Sequence, residues 1–128
     1  MMLVTGAAHA GKTAWVRQNL APQAICDGAV CAPEEVLSAA CITHYHRLVR
    51  RLLDEGADPL AYTERLCREN PDCIVLLDEI GCGIVPLEKD DRIWREQTGR
   101  CGCLLAEHAR TVVRLCCGIA AAIKGELP

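Results

Sequence analysis

The sequence predicts a three-layer α/β sandwich, a single domain over residues 1–128, on a small, mostly parallel sheet of about four or five strands. Two observations carry this. Short β-type runs occur at Leu3–Thr5, Ala24–Cys26, Cys73–Leu77 and Val112–Cys116, and helical patterns separate them. Strands alternating with helices indicate crossover connections and hence parallel pairing. The first run also passes directly into a glycine-bearing turn and then a helix, which is how such sheets present a ligand site. With 51% hydrophobic residues the chain can bury a real core, but it has no Phe, two Trp and two Tyr. Small side chains suit helices packed closely on a sheet.

Each element has local reasons. Helix one follows Lys12 and stops before Pro22. Helix two begins near Pro33, a residue suited to a first turn, with Glu34 and Glu35 complementing the dipole. It runs on through Arg50 and Arg51 and ends by Gly56. Helix three starts near Pro59 and ends before Asn70-Pro71; a long helix covers about Asp91 to Arg110, weakened in its middle by Gly99 and Gly102. The connection worth suspecting of function on length is Gly81 to Lys89.

Gly6-Ala7-Ala8-His9-Ala10-Gly11-Lys12-Thr13 fits the phosphate-loop (Walker A) spacing. A strand entering this turn and leaving as a helix aims several backbone N–H groups at one point, beside the positive helix end. The fold is therefore P-loop NTPase-like. Residues Gly6 to Gly11 would cradle the phosphates of ATP or GTP, Lys12 would reach the outer phosphates, and Thr13 would help hold Mg²⁺. The other reading is a glycine-rich βα turn with a solvated lysine. Cys73–Leu77 ends in Asp78-Glu79, acids placed to bind Mg²⁺ and orient an attacking group, or else solvated acids at a strand end.

In helix two, at 100° per residue, Leu37, Cys41, His44, Leu48 and Leu52 share a stripe, which makes His44 a core or semi-core histidine. His46 falls on the opposite face, so the two cannot chelate one metal. It reads either as a solvent-facing histidine or as an available nucleophile, with Arg47 and Arg50 keeping the ring neutral and attracting phosphate. The ten cysteines form no C-x-x-C pair, and most, such as Cys41, Cys73 and Cys116, sit in apolar surroundings as packed, reduced thiols. A net charge of −3 leaves no electrostatic footprint for nucleic acid. No stretch reads as a membrane span or a secretory signal, and a cytoplasmic location is expected.

Asp78-Glu79-Ile80-Gly81-Cys82-Gly83-Ile84-Val85-Pro86 resembles the N-E-V-G-x-G-I-V-P signature of the adenosylcobinamide kinase/adenosylcobinamide-phosphate guanylyltransferases, bifunctional enzymes of cobalamin assembly. The likeness continues through Arg92, Trp94-Arg95-Glu96, Gly99-Arg100 and Leu105-Ala106, against R-x-F-R-D-x-x-G-R-x-N-x-x-L-A, and on to Ile123-Lys124. The opening through Thr13 is similar to L-V-T-G-G-x-x-S-G-K-S. The resemblance implies phosphoryl transfer to the aminopropanol hydroxyl of adenosylcobinamide, then GMP transfer from GTP through a histidine-GMP intermediate. It implies a trimer, and Glu79, Gly81 and Gly83 near the nucleotide. Lys12, Glu79 and His46 would be catalytic, Arg50 would attend the phosphates, and Asp78 and Glu79 would serve the metal with Thr13.

The chain departs from that pattern in several places. Ala7 and Ala10 replace Gly and Ser, His9 stands where Arg is common, Asp78 replaces Asn, and Gly102 replaces a second Asn. The middle reads as short. His46-Arg47-Leu48-Val49-Arg50 keeps a His-x-x-x-Arg spacing without the family's R-P-x-x-W segment, and the strand with a D-C-L-T-x-W-L-type stretch reads as lost. Two other classes remain: a catalytically reduced nucleotide-binding relative with a regulatory or partner role, and an unrelated small-molecule kinase.

Overall fold

The computed structural model describes residues 1–128. Strand β1 (Met2–Gly6) lies in the interior of the sheet, between β4 (Ile74–Asp78) and β5 (Thr111–Cys116), parallel to both. Beyond β4 come β3 (Cys41–Thr43) and then β2 (Cys26–Asp27), also parallel. Beyond β5 an antiparallel edge strand, β6 (Ile119–Lys124), completes six strands in the order β2-β3-β4-β1-β5-β6. The sheet is mostly parallel, as expected, with one strand more than the upper count.

Side chains alternate across the sheet, as strand geometry requires. Leu3, Val75 and Leu77 face a core shared with α3 (Tyr45–Asp54), α4 (Pro59–Glu69) and α5 (Lys89–His108). Val4, Leu76, Val113 and Leu115 face the opposite way, onto Val16 and Trp15 of α1 (Lys12–Asn19). The layers are thus unequal: α3, α4 and α5, joined by Val36 of a short helix at 33–36, cover one face, and α1 covers the other. Asp58 caps α4 by accepting from the N–H groups of Leu60 and Ala61, with Pro59 at the first helical position. Gly102 weakens the middle of α5 less than it serves packing. A Cβ there would stand 3.0 Å from Leu77 Cδ2, so glycine lets the helix sit close on β4.

Helix two is corrected. Only a short helix, α2 (Pro33–Val36), follows Pro33. The chain then enters β3, buried at all three residues, and restarts as α3. Ile42 and Thr43 are β-branched and pair with the neighbouring strands, which outweighs an apolar spacing that mimicked a helix. The cysteine reading is also adjusted. Cys41, Cys67, Cys73 and Cys101 are buried, whereas Cys116 is exposed with Cys82, Cys103 and Cys117. Burial pushes the Cys41 thiol up to about 11 and that of Cys73 to about 12. No helix is long and apolar enough to cross a membrane.

The turn from β5 to β6, Cys117-Gly118, has positive φ at both positions (50° and 78°), the geometry that matches a two-residue hairpin to the twist of its strands. Its tip reaches the other end of the numbering: Gly118 N–H donates to Ala10 O at 2.9 Å.

Candidate nucleotide cleft

The loop after β1 holds its shape through two glycines. Gly6 has φ 146°, and a Cβ there would lie 2.5 Å from Leu115 O, so β1 can end against β5 only with glycine at this position. Gly11 has φ 95° and starts α1, its carbonyl accepting from Trp15 N–H. Lys12 is buried, and its ammonium turns back into the loop. It donates to Gly6 O at 3.1 Å and Ala7 O at 2.7 Å, and meets Asp78 Oδ1 at 2.7 Å.

Above this lysine opens a cleft of about 390 Å³. Residues 8–14 form one side, and Thr43, His44, His46, Arg47 and Asp78 form the other. The loop and the acid that ends β4 therefore share one hollow. Thr13 lines it too, so a hydroxyl and a carboxylate, both hard oxygen donors suited to Mg²⁺, face the same space.

The histidines exchange places relative to expectation. His46 is buried, and its Nε2 lies 3.6 Å from Asp78 Oδ2. Its Nδ1 has no partner. Burial lowers the affinity of this ring for a proton. The Asp78 carboxylate opposes that, and His44, Arg47 and Lys12 reinforce it. Desolvation, more than the arginines, keeps it neutral. His44 is not a core residue: it is the left-handed N-cap of α3 (φ 51°, ψ 43°), about half exposed, with Nδ1 2.9 Å from Asp27 Oδ1. The cause of both changes is the strand, because interrupting the helix at β3 resets the phase of everything after it.

Arg50 faces away from the cleft. It pairs with Asp91 at 2.8 Å and Asp54 at 3.5 Å and lies over the Trp94 ring. Glu79 lies on the other side of the β4 end from the cleft, bound by Arg114 through two bonds of 2.9 Å. With Gly81, Thr5 and the buried Thr98 it lines a second hollow of about 240 Å³, which also touches Asp78. Gly83 lines neither hollow. Lys12, Thr13, Asp78 and His46 are thus brought together, while Arg50, Glu79, Gly81 and Gly83 are not. Sequence reading missed Thr43, and missed His44 and Asp27 as a pair. The β-branched step Ile42-Thr43 was an available signal.

A family model described as cobinamide kinase / cobinamide phosphate guanyltransferase matches residues 38–123. The chain belongs to that family. The cobinamide kinase/guanyltransferases are transferases of cobalamin biosynthesis that use nucleoside triphosphate and cobinamide substrates. No curated protein matches the chain. The family match runs from just before β3 into β6, so β3 lies inside the matched span. Cys41-Ile42-Thr43-His44-Tyr45 places a Cys, an aliphatic residue, a Thr and an aromatic ring at the C-L-T-x-W spacing. No R-P-x-x-W sequence occurs in this chain. The phosphate loop lies ahead of the matched span and stands on its own spacing and geometry.

Proposed function

We propose that the cleft binds a nucleoside triphosphate, ATP or GTP, and transfers its terminal phosphoryl group to the aminopropanol hydroxyl of adenosylcobinamide. The observation that carries this is Lys12, buried at the base of the loop and paired with the Asp78 carboxylate. When a triphosphate enters, the lysine turns its charge onto the outer phosphates, and the backbone N–H groups of residues 7–13 receive the remainder. Mg²⁺ brought with the nucleotide would be held by the Thr13 hydroxyl and Asp78, and would offset charge on the phosphate oxygens. Glu79, tied to Arg114, does not fit that role. Asp78 also borders the second hollow, where an acceptor arm can approach the same phosphate from the side opposite the loop. Phosphoryl transfer needs this kind of positioning and charge neutralisation more than covalent chemistry.

The second step of this reading is GMP transfer from GTP to adenosylcobinamide phosphate through a histidine-GMP intermediate. Three imidazoles line the cleft: His9 in the loop itself, His46, the candidate named from sequence, and His44. A trimer and a cytoplasmic location complete the reading.

Incubation with γ-labelled ATP or GTP, Mg²⁺ and adenosylcobinamide tests it. Label transferred to the corrinoid is the expected result. Tight nucleotide binding without any transfer would overturn it in favour of a catalytically reduced relative. A donor turned over on other small acceptors with indifference to corrinoids would identify an unrelated kinase.

A further inference from the structure

His44 stands at the rim of the cleft in a conformation that its sequence does not favour. A non-glycine residue at φ 51°, ψ 43° is strained unless its surroundings impose it, and such residues cluster at functional sites. Here the surroundings do impose it. Gly28 seats the turn after β2 against the end of β3, since a Cβ there would stand 2.9 Å from both Thr43 O and His44 O. Arg51 then pins that turn by donating to Gly28 O at 2.7 Å and Cys31 O at 2.8 Å. The result is a fixed Asp27 carboxylate whose Oδ1 accepts from Ala29 N–H and meets His44 Nδ1, both at 2.9 Å. Burial works against ionisation of Asp27, but the Ala29 N–H and the His44 ring outweigh it and hold its carboxyl below the usual range.

A carboxylate on Nδ1 fixes the tautomer and leaves the Nε2 lone pair free, which is the logic of a base or nucleophile with its orienting acid. Nε2 of His44 has no protein partner, and the residue lines the cleft beside Arg47 and the loop. His46 lacks these features: it is buried, its Nε2 faces Asp78, and its other nitrogen has no partner. We propose that His44 is the nucleotidyl carrier of this protein, with Asp27 as its positioning residue. The inference rests on the two-step reading above.

In the forward step the Nε2 lone pair of His44 attacks the α-phosphorus of GTP. A P–N bond forms, the bond to the β-phosphate bridging oxygen breaks, and pyrophosphate leaves with that electron pair. The Nδ1 proton stays on the ring, and Asp27 offsets the positive charge that develops there. A phosphate oxygen of the phosphorylated acceptor then attacks the same phosphorus, the P–N bond breaks, and the lone pair returns to Nε2.

The test is incubation of the full chain with α-labelled GTP and Mg²⁺, quenching in alkali, and fragmentation of the labelled peptide. GTP affinity and γ-phosphoryl transfer to adenosylcobinamide are measured on the same samples. An acid-labile, alkali-stable adduct on His44 is expected, absent in His44→Gln while its circular dichroism and melting temperature match those of the wild-type chain. Asp27→Asn is expected to slow adduct formation by about 10²–10⁴-fold with GTP affinity unchanged, and Asp27→Glu to recover part of it. An adduct on His46 or His9, an undiminished adduct in His44→Gln, or intact phosphoryl transfer with no adduct overturns the assignment alone. Failure of the wild-type chain to bind GTP overturns the two-step reading, and the assignment with it.

Discussion

Asp78 and Glu79 are neighbours on one strand end, yet they inhabit different chemistry. Strand alternation sends them to opposite sides. Asp78 enters the loop cleft and holds a lysine through one 2.7 Å contact, with a neutral, buried histidine at 3.6 Å. Glu79 turns to the other side and accepts from Nε and Nη2 of Arg114. On the proposed reading the first pair is exchanged when phosphate and metal arrive; the second is complete as it stands. Two acids at the end of a strand beside a phosphate loop are therefore not one motif. On that reading, only the residue whose partner can leave belongs to the reaction.

Replacing residues on the two sides should separate these roles. The largest effect is expected at Lys12→Met, which removes the one buried cation of the cleft and should lower phosphoryl transfer by about 10²–10³-fold. Asp78→Asn keeps the shape and removes the charge, and should cost about 10–100-fold in kcat with a raised Mg²⁺ requirement, read by titrating the metal at saturating nucleotide. His46 links the cleft to stability. Its folded-state proton affinity is lowered, so below about pH 6.5 the unfolded chain binds the proton more readily. Unfolding free energy should therefore fall as pH drops through that window and be regained above it. Urea titrations at pH 7.5 and 5.5 should show a smaller loss in His46→Asn. The smallest effect is expected at Glu79→Gln: activity within about twofold of wild type and only a slight drop in Tm, because the Arg114 side of the pair is exposed. A loss at Glu79 matching that at Asp78 would erase the distinction.

Much of this was legible in the sequence where the signal is local. The phosphate loop reads directly, since its glycines and lysine act through their own backbone turn. Strands β1, β4 and β5 and helix α4 read from short apolar runs and from Pro59 after Asp58. Segment 33–56 did not read correctly, because Leu37, Cys41, His44, Leu48 and Leu52 satisfy a helical repeat that tertiary pairing overrides at Cys41–Thr43. Three residues of strand moved His46 inward and His44 to the rim. Glu79 was misplaced for a related reason, since its partner Arg114 lies 35 positions away and no local pattern encodes the pairing. Arg50 likewise finds Asp91 across 41 positions. Site residues set by local geometry were predictable, and those set by long-range partners were not.

The bond from Gly118 to Ala10 has a consequence for assembly. Strand β1 lies between β4 and β5, and the hairpin tip beyond β5 braces the loop, so the loop's surroundings come from residues 74–78 and 111–118. Such sequence-distant closures are slow steps in folding. On the ribosome, residues 6–13 emerge long before the segments that frame them. The binding loop is synthesised before the segments that frame it and is among the last parts to become competent, so a nascent chain carries the motif without its frame until the β5–β6 turn has arrived.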